Sequence, residues 1–411
     1  HSKKRTVKML TKEYIFVSKN AVLGGIETLM VRMANEVVNK GHKVTVVCPD
    51  GPVLKSLEQS VTRIPFNNTD KLEKVLQKIK INRVSHITIW LSHPHYLVSA
   101  YIFQKFVHKK WKVTTNILSG IFLPKNIGKR TLYTNFEKYF IHKLPPVGTI
   151  YFMSEAVKHS FAVNGDKFYE NFQVTKLAAP LKSTPWKGTT SLQLRIVSVG
   201  RLTRFKAYNF GAIQIVKSLR EQGIQCDWTI WGDGEELEQA KECAKSEQIA
   251  GYVKFMGPLP YNDFVKEINK YDIFVGLGTA ALEASACGMP TLIAIADSKF
   301  EAAGYLYEAP SDSIGENIPG MQKQKTQDLL LAYSQKTVEE RSEIGQLCLS
   351  EINKRMSTKS EQTLCALEEG LYFPSNFQSR IRMGLGIKIR RFNHFCKFVK
   401  RLATHAHAIR K

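Results

Sequence analysis

The chain has 411 residues, 43% hydrophobic and 10% aromatic, which is more than one ordinary core needs; it predicts two domains and excludes wholesale disorder. No run nears the roughly 18 consecutive apolar residues of a membrane-spanning helix. A formal charge of +23 directs expectation toward anionic partners, whether nucleic acid, acidic lipid or phosphorylated ligands.

In chain order, an apolar strand in "YIFVSKNAVLGG" runs into Gly24-Gly25 and then a helix over 27–40, with Leu29, Met30, Met33, Ala34, Val37 and Val38 on one face. "GHKVTVVCP", "RVSHITIWLSHPH" and "WKVTTNIL" read as further strands. "GTIYFMSEAVKHSFAVNG" continues the strand–helix alternation, with Ser154 as a helix cap. Residues 1–175 thus read as one open parallel α/β domain. The Pro-, Gly- and Ser/Thr-bearing stretch 176–193 reads as a linker. A second alternation follows over 194–373, with strands at 194–199, "WTIWG", "VKFMG", "DIFVGLG" and "TLIAI". Two doubly wound, Rossmann-like domains facing across a cleft would bind ligands where the carboxyl ends of their strands converge.

Several strand ends carry chemistry. Gly24-Gly25 before a helix start is either a phosphate cradle of outward N–H groups or a tight turn. Arg201, just past a strand, and Lys206 five residues on could converge on one diphosphate; alternatively they are two surface cations. Gly232-Asp233-Gly234 and Gly257 mark positive-φ turns, as a pocket wall or simply as turns. Gly276-Leu277-Gly278-Thr279 opens a short helix, and free N–H groups at Gly278, Thr279 and Ala280 would accept an anion. Glu283, one turn in, could accept hydrogen bonds from a ribose diol, or be an exposed acid on an alanine-packed helix. No D-x-D, H-E-x-x-H, G-x-S-x-G or Walker A occurs. Seven scattered cysteines show no zinc spacing and suit a reducing cytoplasm. No metal site is expected. The opening His-Ser-Lys-Lys reads as an expression remnant, with no signal peptide after it.

Taken together and in order, GGIE (24–27), VGRL with its later Lys (199–206), GDG (232–234), Gly257 and LEASACGMP (282–290) resemble the GT-B glycosyltransferases, specifically the retaining group called family 4. The resemblance reaches to about residue 373. It implies that Arg201 and Lys206 bind a donor diphosphate and serve as the catalytic cations, and that Glu283 holds the ribose. It further implies that Gly24 and Gly25 close on the phosphates, while Gly232, Gly257, Gly278 and Thr279 line the donor site. The co-substrate would be a nucleoside-diphosphate sugar, UDP-sugar ahead of GDP-sugar, and hexosyl transfer would proceed with retention and without metal. Two departures stand out. Val275 occupies the place of the family's first acidic residue, inside a shortened loop, and Ala207 follows Lys206 where Gly is usual. Where the family often has a first-domain His near the reacting sugar, Asn116 or Ser119 stands, with His93 and His95 as possible substitutes.

Beyond residue 374 the chain leaves the resemblance. Arg380, Arg382, Lys388, Arg390, Arg391, Lys397, Lys400, Arg401, Arg410 and Lys411 make a basic tail without Asp or Glu. Ile389, Phe392, Phe395, Val399 and Leu402 fall on one helical stripe, as on an interfacial helix at an anionic membrane, with 380–403 in contact. A helix packed back on the domains and a partly disordered tail are the alternatives. The reading is therefore an enzyme at the cytoplasmic membrane face, extending a glycan, lipid-linked, of bacterial polysaccharide or lipopolysaccharide type. Its rivals are a catalytically inactive scaffold of the same fold and a nucleic-acid-binding protein. No nucleic-acid partner is expected, since no reader motif is found.

Overall fold

The computed structural model describes residues 12–66, 72–79, 86–92, 96, 112–118, 150–152, 155, 158, 173–174, 185–188, 193–311, 313–318 and 320–355. Among these, two seven-stranded sheets account for the strands. The first has the order β3-β2-β1-β4-β5-β6-β7 and is parallel throughout. Its strands are β1 (Glu13–Val17), β2 (Lys43–Cys48), β3 (Thr62–Pro65), β4 (His86–Leu91), β5 (Lys112–Leu118), β6 (Ile150–Phe152) and β7 (Gln173–Val174). The second has the order β10-β9-β8-β11-β12-β13-β14. It comprises β8 (Leu194–Val199), β9 (Cys226–Trp231), β10 (Val253–Gly257), β11 (Ile273–Gly276), β12 (Thr291–Ala294), β13 (Glu301–Tyr305) and β14 (Gln324–Lys325).

The sequence reading contains no counterpart of β13 and β14, which add antiparallel to the parallel core. Their segments are short and Gly- or Lys-bearing, so they lack the apolar run that marks a central strand. In each sheet the chain works outward from its first strand and then returns to the other side of it. The order therefore reverses between β1 and β4, and again between β8 and β11. Open α/β sheets leave a crevice at such reversals, outside the carboxyl ends of the strands.

The strands hold because they are buried. Val17, Ile196 and Val197 are fully enclosed, and each such side chain stabilises the fold by about 1.5–3 kcal/mol. Two polar side chains inside the second sheet pair with each other: Trp228 Nε1 donates to Ser198 Oγ at 2.9 Å, and Ser198 Oγ donates to the Val275 carbonyl at 2.6 Å. Buried Asp272 accepts from the Arg195 backbone N–H at 2.6 Å. Helix α1 (Gly25–Asn39) covers the first sheet with Leu29, Met30, Val31, Met33, Ala34 and Val37, while Val38 is only half-buried.

Seven further helices are described: α2 (Leu72–Leu76), α3 (Tyr208–Glu221), α4 (Leu237–Ser246), α5 (Phe264–Ile268), α6 (Thr279–Ala286), α7 (Thr326–Ser334) and α8 (Val338–Arg355). Helix α8 packs on α6 through Gly345, where a Cβ would run into the Gly288 carbonyl. Gly to Ala in a helix ordinarily gains about 0.5–1 kcal/mol. Here the sign reverses, because overpacking costs about 1–3 kcal/mol. Gly345→Ala is expected to lower the urea midpoint, by on the order of 1 kcal/mol; a raised midpoint would contradict the close α6–α8 contact.

Candidate active site

The carboxyl end of β1 leads to Gly24, the N-cap of α1, in extended backbone and without a side-chain capping bond. The space a Cβ on Gly24 would fill is taken by Glu27 Oε2, 2.5 Å away, with Arg201 Cδ at 3.8 Å. On Gly25 a Cβ would sit 2.7 Å from Thr279 Oγ1. Arg201 follows β8 and Thr279 begins α6, so the Gly-Gly pair admits two elements of the second half against its own backbone. The helix starts of α1 and α6 face each other there, both leaving first-turn N–H groups without intrahelical partners.

Arg201 is exposed. The turn Arg204–Lys206 then brings Lys206 back, its backbone N–H donating to the Thr203 carbonyl at 2.8 Å. The Lys206 ammonium lies over Gly200, 2.5 Å from where a Cβ would stand, and Gly200 has φ +157°. Burial, and after it the neighbouring Arg201 charge, lowers the Lys206 pKa to about 8. Buried Glu27 is the nearby acid; burial raises its pKa, opposed by a hydrogen bond from its own backbone N–H and by Arg201.

Gly232 and Gly234 stand behind this loop. A Cβ on either would strike backbone, the Gly200 carbonyl in one case and the Leu202 carbonyl in the other. Gly232 N–H donates to the Gly257 carbonyl at 2.7 Å and Gly200 N–H to the Trp231 carbonyl at 2.9 Å, which together tie the ends of β8, β9 and β10. Gly257 itself, at φ +77°, faces open space. Glu235 and Glu236 precede α4, which starts at Leu237 with Glu236 as its N-cap.

The start of α6 offers fewer free N–H groups than the sequence predicts. The Gly278 N–H is not free: it donates to the Ile314 carbonyl at 2.7 Å. The β11–α6 connection is so short that residues 313–318 fold in behind it, with Gly315 pressed against Leu277. The N–H groups left over by helix geometry are therefore those from Thr279 onward. Val275 is fully buried within β11 and presents no polar group to the cleft.

Glu283 is buried rather than an exposed acid, and it faces α1: Arg32 Nη1 lies 3.1 Å from Glu283 Oε1. The Tyr261 hydroxyl lies against both; burial and then the Glu283 charge push its pKa up, and Arg32 opposes this. The sequence reading missed Arg32, Tyr261 and Glu27. The one available signal for Arg32 was a cation interrupting the otherwise apolar run Leu29–Ala34. Of the remaining expected residues, Asn116 is on β5, in register with Trp90. His93, His95 and Ser119 lie outside the described residues, as do Ser154 and the tail 380–403.

Two cations and two helix starts at one point make an acceptor for a multiply charged anion. Lys206 carries a stability cost for that readiness. With a folded-state pKa of about 8 against its ordinary 10.5, folding releases a proton between these values, so stability rises with pH across that window. Below pH 8 both states are protonated and the cost is felt in full. Lys206→Met is expected to be more stable than wild type at pH 7, by on the order of 1–3 kcal/mol, with the gap closing toward pH 10 in chemical denaturation. A gap that is absent or widens with pH would contradict the buried ammonium.

Residues 188–299 match the family described as Glycosyl transferases group 1. A 111-residue stretch is 31% identical to the amylovoran biosynthesis glycosyltransferase AmsK of Erwinia amylovora, covering 24% of this chain and 27% of that protein's length. Among solved structures, a glycosyltransferase from Rickettsia africae ESF-5 superposes with TM-score 0.63 at 14% identity, covering 87% of this chain and 98% of that one. A mutant of S. aureus TarM, in complex with fondaparinux, alpha-GlcNAc-glycerol and UDP, does so with TM-score 0.60 at 13% identity, covering 87% and 100%. At such identities these likenesses speak for the fold. Residues 188–299 are thus similar to a Glycosyl transferases group 1 domain, within an α/β fold of the GT-B kind seen in these solved structures.

Proposed function

We propose that the chain transfers a glycosyl group from a nucleoside-diphosphate sugar to a glycan acceptor. The observation that carries this reading is the meeting of α1 and α6 at Gly25 and Thr279, beside Arg201 and Lys206. A leaving diphosphate develops charge as the sugar bond breaks. Preorganised cations and N–H groups at that point stabilise it without a metal. In this reading Arg201 and Lys206 neutralise the diphosphate, Glu283 receives the ribose hydroxyls, and Gly24-Gly25 lets the cleft close on the phosphates. Gly232 and Gly257 shape the wall behind.

Transfer proceeds with retention, and UDP-sugar is the favoured donor; the UDP bound to the TarM mutant supports that choice. The acceptor is a bacterial surface glycan, lipid-linked; the amylovoran biosynthesis in AmsK's name supports a glycan acceptor. The basic stretch 380–403 holds the enzyme to the cytoplasmic face of the membrane. Because Val275 brings no carboxylate to the sugar, its ring is held by the backbone of 276–279.

A thermal-shift panel with UDP, GDP, TDP, ADP and CMP tests the donor site. One diphosphate is expected to stand out, with about 2.7 kcal/mol of stabilisation at a hundred times its Kd. The Arg201→Ala/Lys206→Ala variant is expected to lose that shift. No shift in wild type would sink the donor-site assignment, whereas a shift without transfer from any nucleotide sugar would favour the inactive scaffold. Gly25→Ala, which forces a methyl group toward Thr279 Oγ1, is expected to cut transfer at least tenfold, or about 1.4 kcal/mol of barrier; full activity would show that the cleft need not close there.

A further inference from the structure

Arg32 comes from the half of the protein opposite Glu283, yet it meets it across the cleft. Gly25 and Arg32 are seven residues apart on α1, two turns, and so share a helix face. Thr279 and Glu283 are four apart on α6 and share another. Gly25 abuts Thr279, and Arg32 Nη1 lies 3.1 Å from Glu283 Oε1, so the two faces meet twice. The pair is enclosed: its side chains are 15% and 5% exposed. The contact at Nη1 lacks hydrogen-bond alignment, and the buried Arg32 Nε finds no acceptor. A buried guanidinium with an unused N–H is costly unless an oxygen-bearing group completes it. Beside it, the turn Tyr261–Asp263 packs on the turn Pro52–Ser56 of the first half, bringing the Tyr261 hydroxyl against both charges.

We propose that Arg32 is a positioning residue for ribose recognition, holding the Glu283 carboxylate toward the ribose diol and offering its own Nε–H to a ribose oxygen, so that the ribose pocket is complete only with the cleft closed. This rests on the donor reading above and goes beyond it, since it makes a first-half residue part of the nucleotide site. The ribose hydroxyls donate to Glu283; Arg32, acceptor-free, donates to them and to the carboxylate. A nucleotide without the diol gives Arg32 nothing further to bind and gives closure no added support.

The test is calorimetric titration of wild type, Arg32→Gln, Glu283→Gln and the double variant with UDP and with 2′,3′-dideoxy-UDP. Arg32→Gln is expected to weaken UDP binding on the order of tenfold or more while leaving the dideoxy analogue nearly unchanged. The double variant is expected to be no weaker than Glu283→Gln alone, because the two side chains act on the same hydroxyls. A purely structural latch would weaken both ligands alike, which would overturn the proposal, as would an unchanged UDP affinity. Arg32→Lys keeps the charge without the planar fork; its partial recovery of the ribose preference is expected, and it guards against misfolding of the other variants. If wild type binds UDP but does not prefer it over the dideoxy form, this proposal fails while the donor site stands. If wild type binds none of the panel nucleotides, both fall.

Discussion

The close approach of α1 to α6 is the constraint on which the cleft depends. Two helix starts, each ending a strand at its sheet's reversal point, meet where Gly25 has no side chain and Thr279 fills the space. A Cβ at Gly25 would meet the Thr279 side chain rather than backbone, so the halves could part to admit it, but only by opening the gap. Gly25 therefore sets the distance between the halves, while at Gly24 the space is taken by Glu27 of the same helix. That distance decides whether Arg201, Lys206 and both sets of N–H groups can reach one ligand.

The electrostatics at this point are unfavourable without a ligand. Burial of the Lys206 ammonium is the larger cost, and repulsion from Arg201 adds to it. Among the described residues Glu27 is a carboxylate that faces Arg201, and it is itself disfavoured by burial. A site that holds like charges together at a loss of stability gains most from an anion that relieves it. The Arg32–Glu283 pair is likewise incompletely satisfied, since the buried Arg32 Nε has no acceptor.

Local features of this arrangement were legible in the sequence. Buried parallel strands are near-continuous apolar runs, and β8 and β9 stand where such runs end at a glycine. The glycine turns announced themselves because only a residue without Cβ fits against backbone, as Gly232 does against the Gly200 carbonyl. What the sequence could not show depends on contacts between distant segments. Nothing in the spacing of residues 276–280 says that Ile314 will take the Gly278 N–H. Likewise, Arg32 and Glu283 are 251 positions apart by their numbering (283 − 32), and no periodicity links them. The resemblance to a known family supplied roles for Arg201, Lys206 and Glu283, but not the partner that Glu283 has in this chain.

The central claim, that both helix starts serve one diphosphate, is tested most directly by amide hydrogen exchange with and without UDP. The account predicts that protection rises together in residues 25–26 and 279–281, whose N–H groups have no intrahelical partner, because one ligand bridges both sets. Protection in one segment alone, or in neither while UDP is bound, would contradict it.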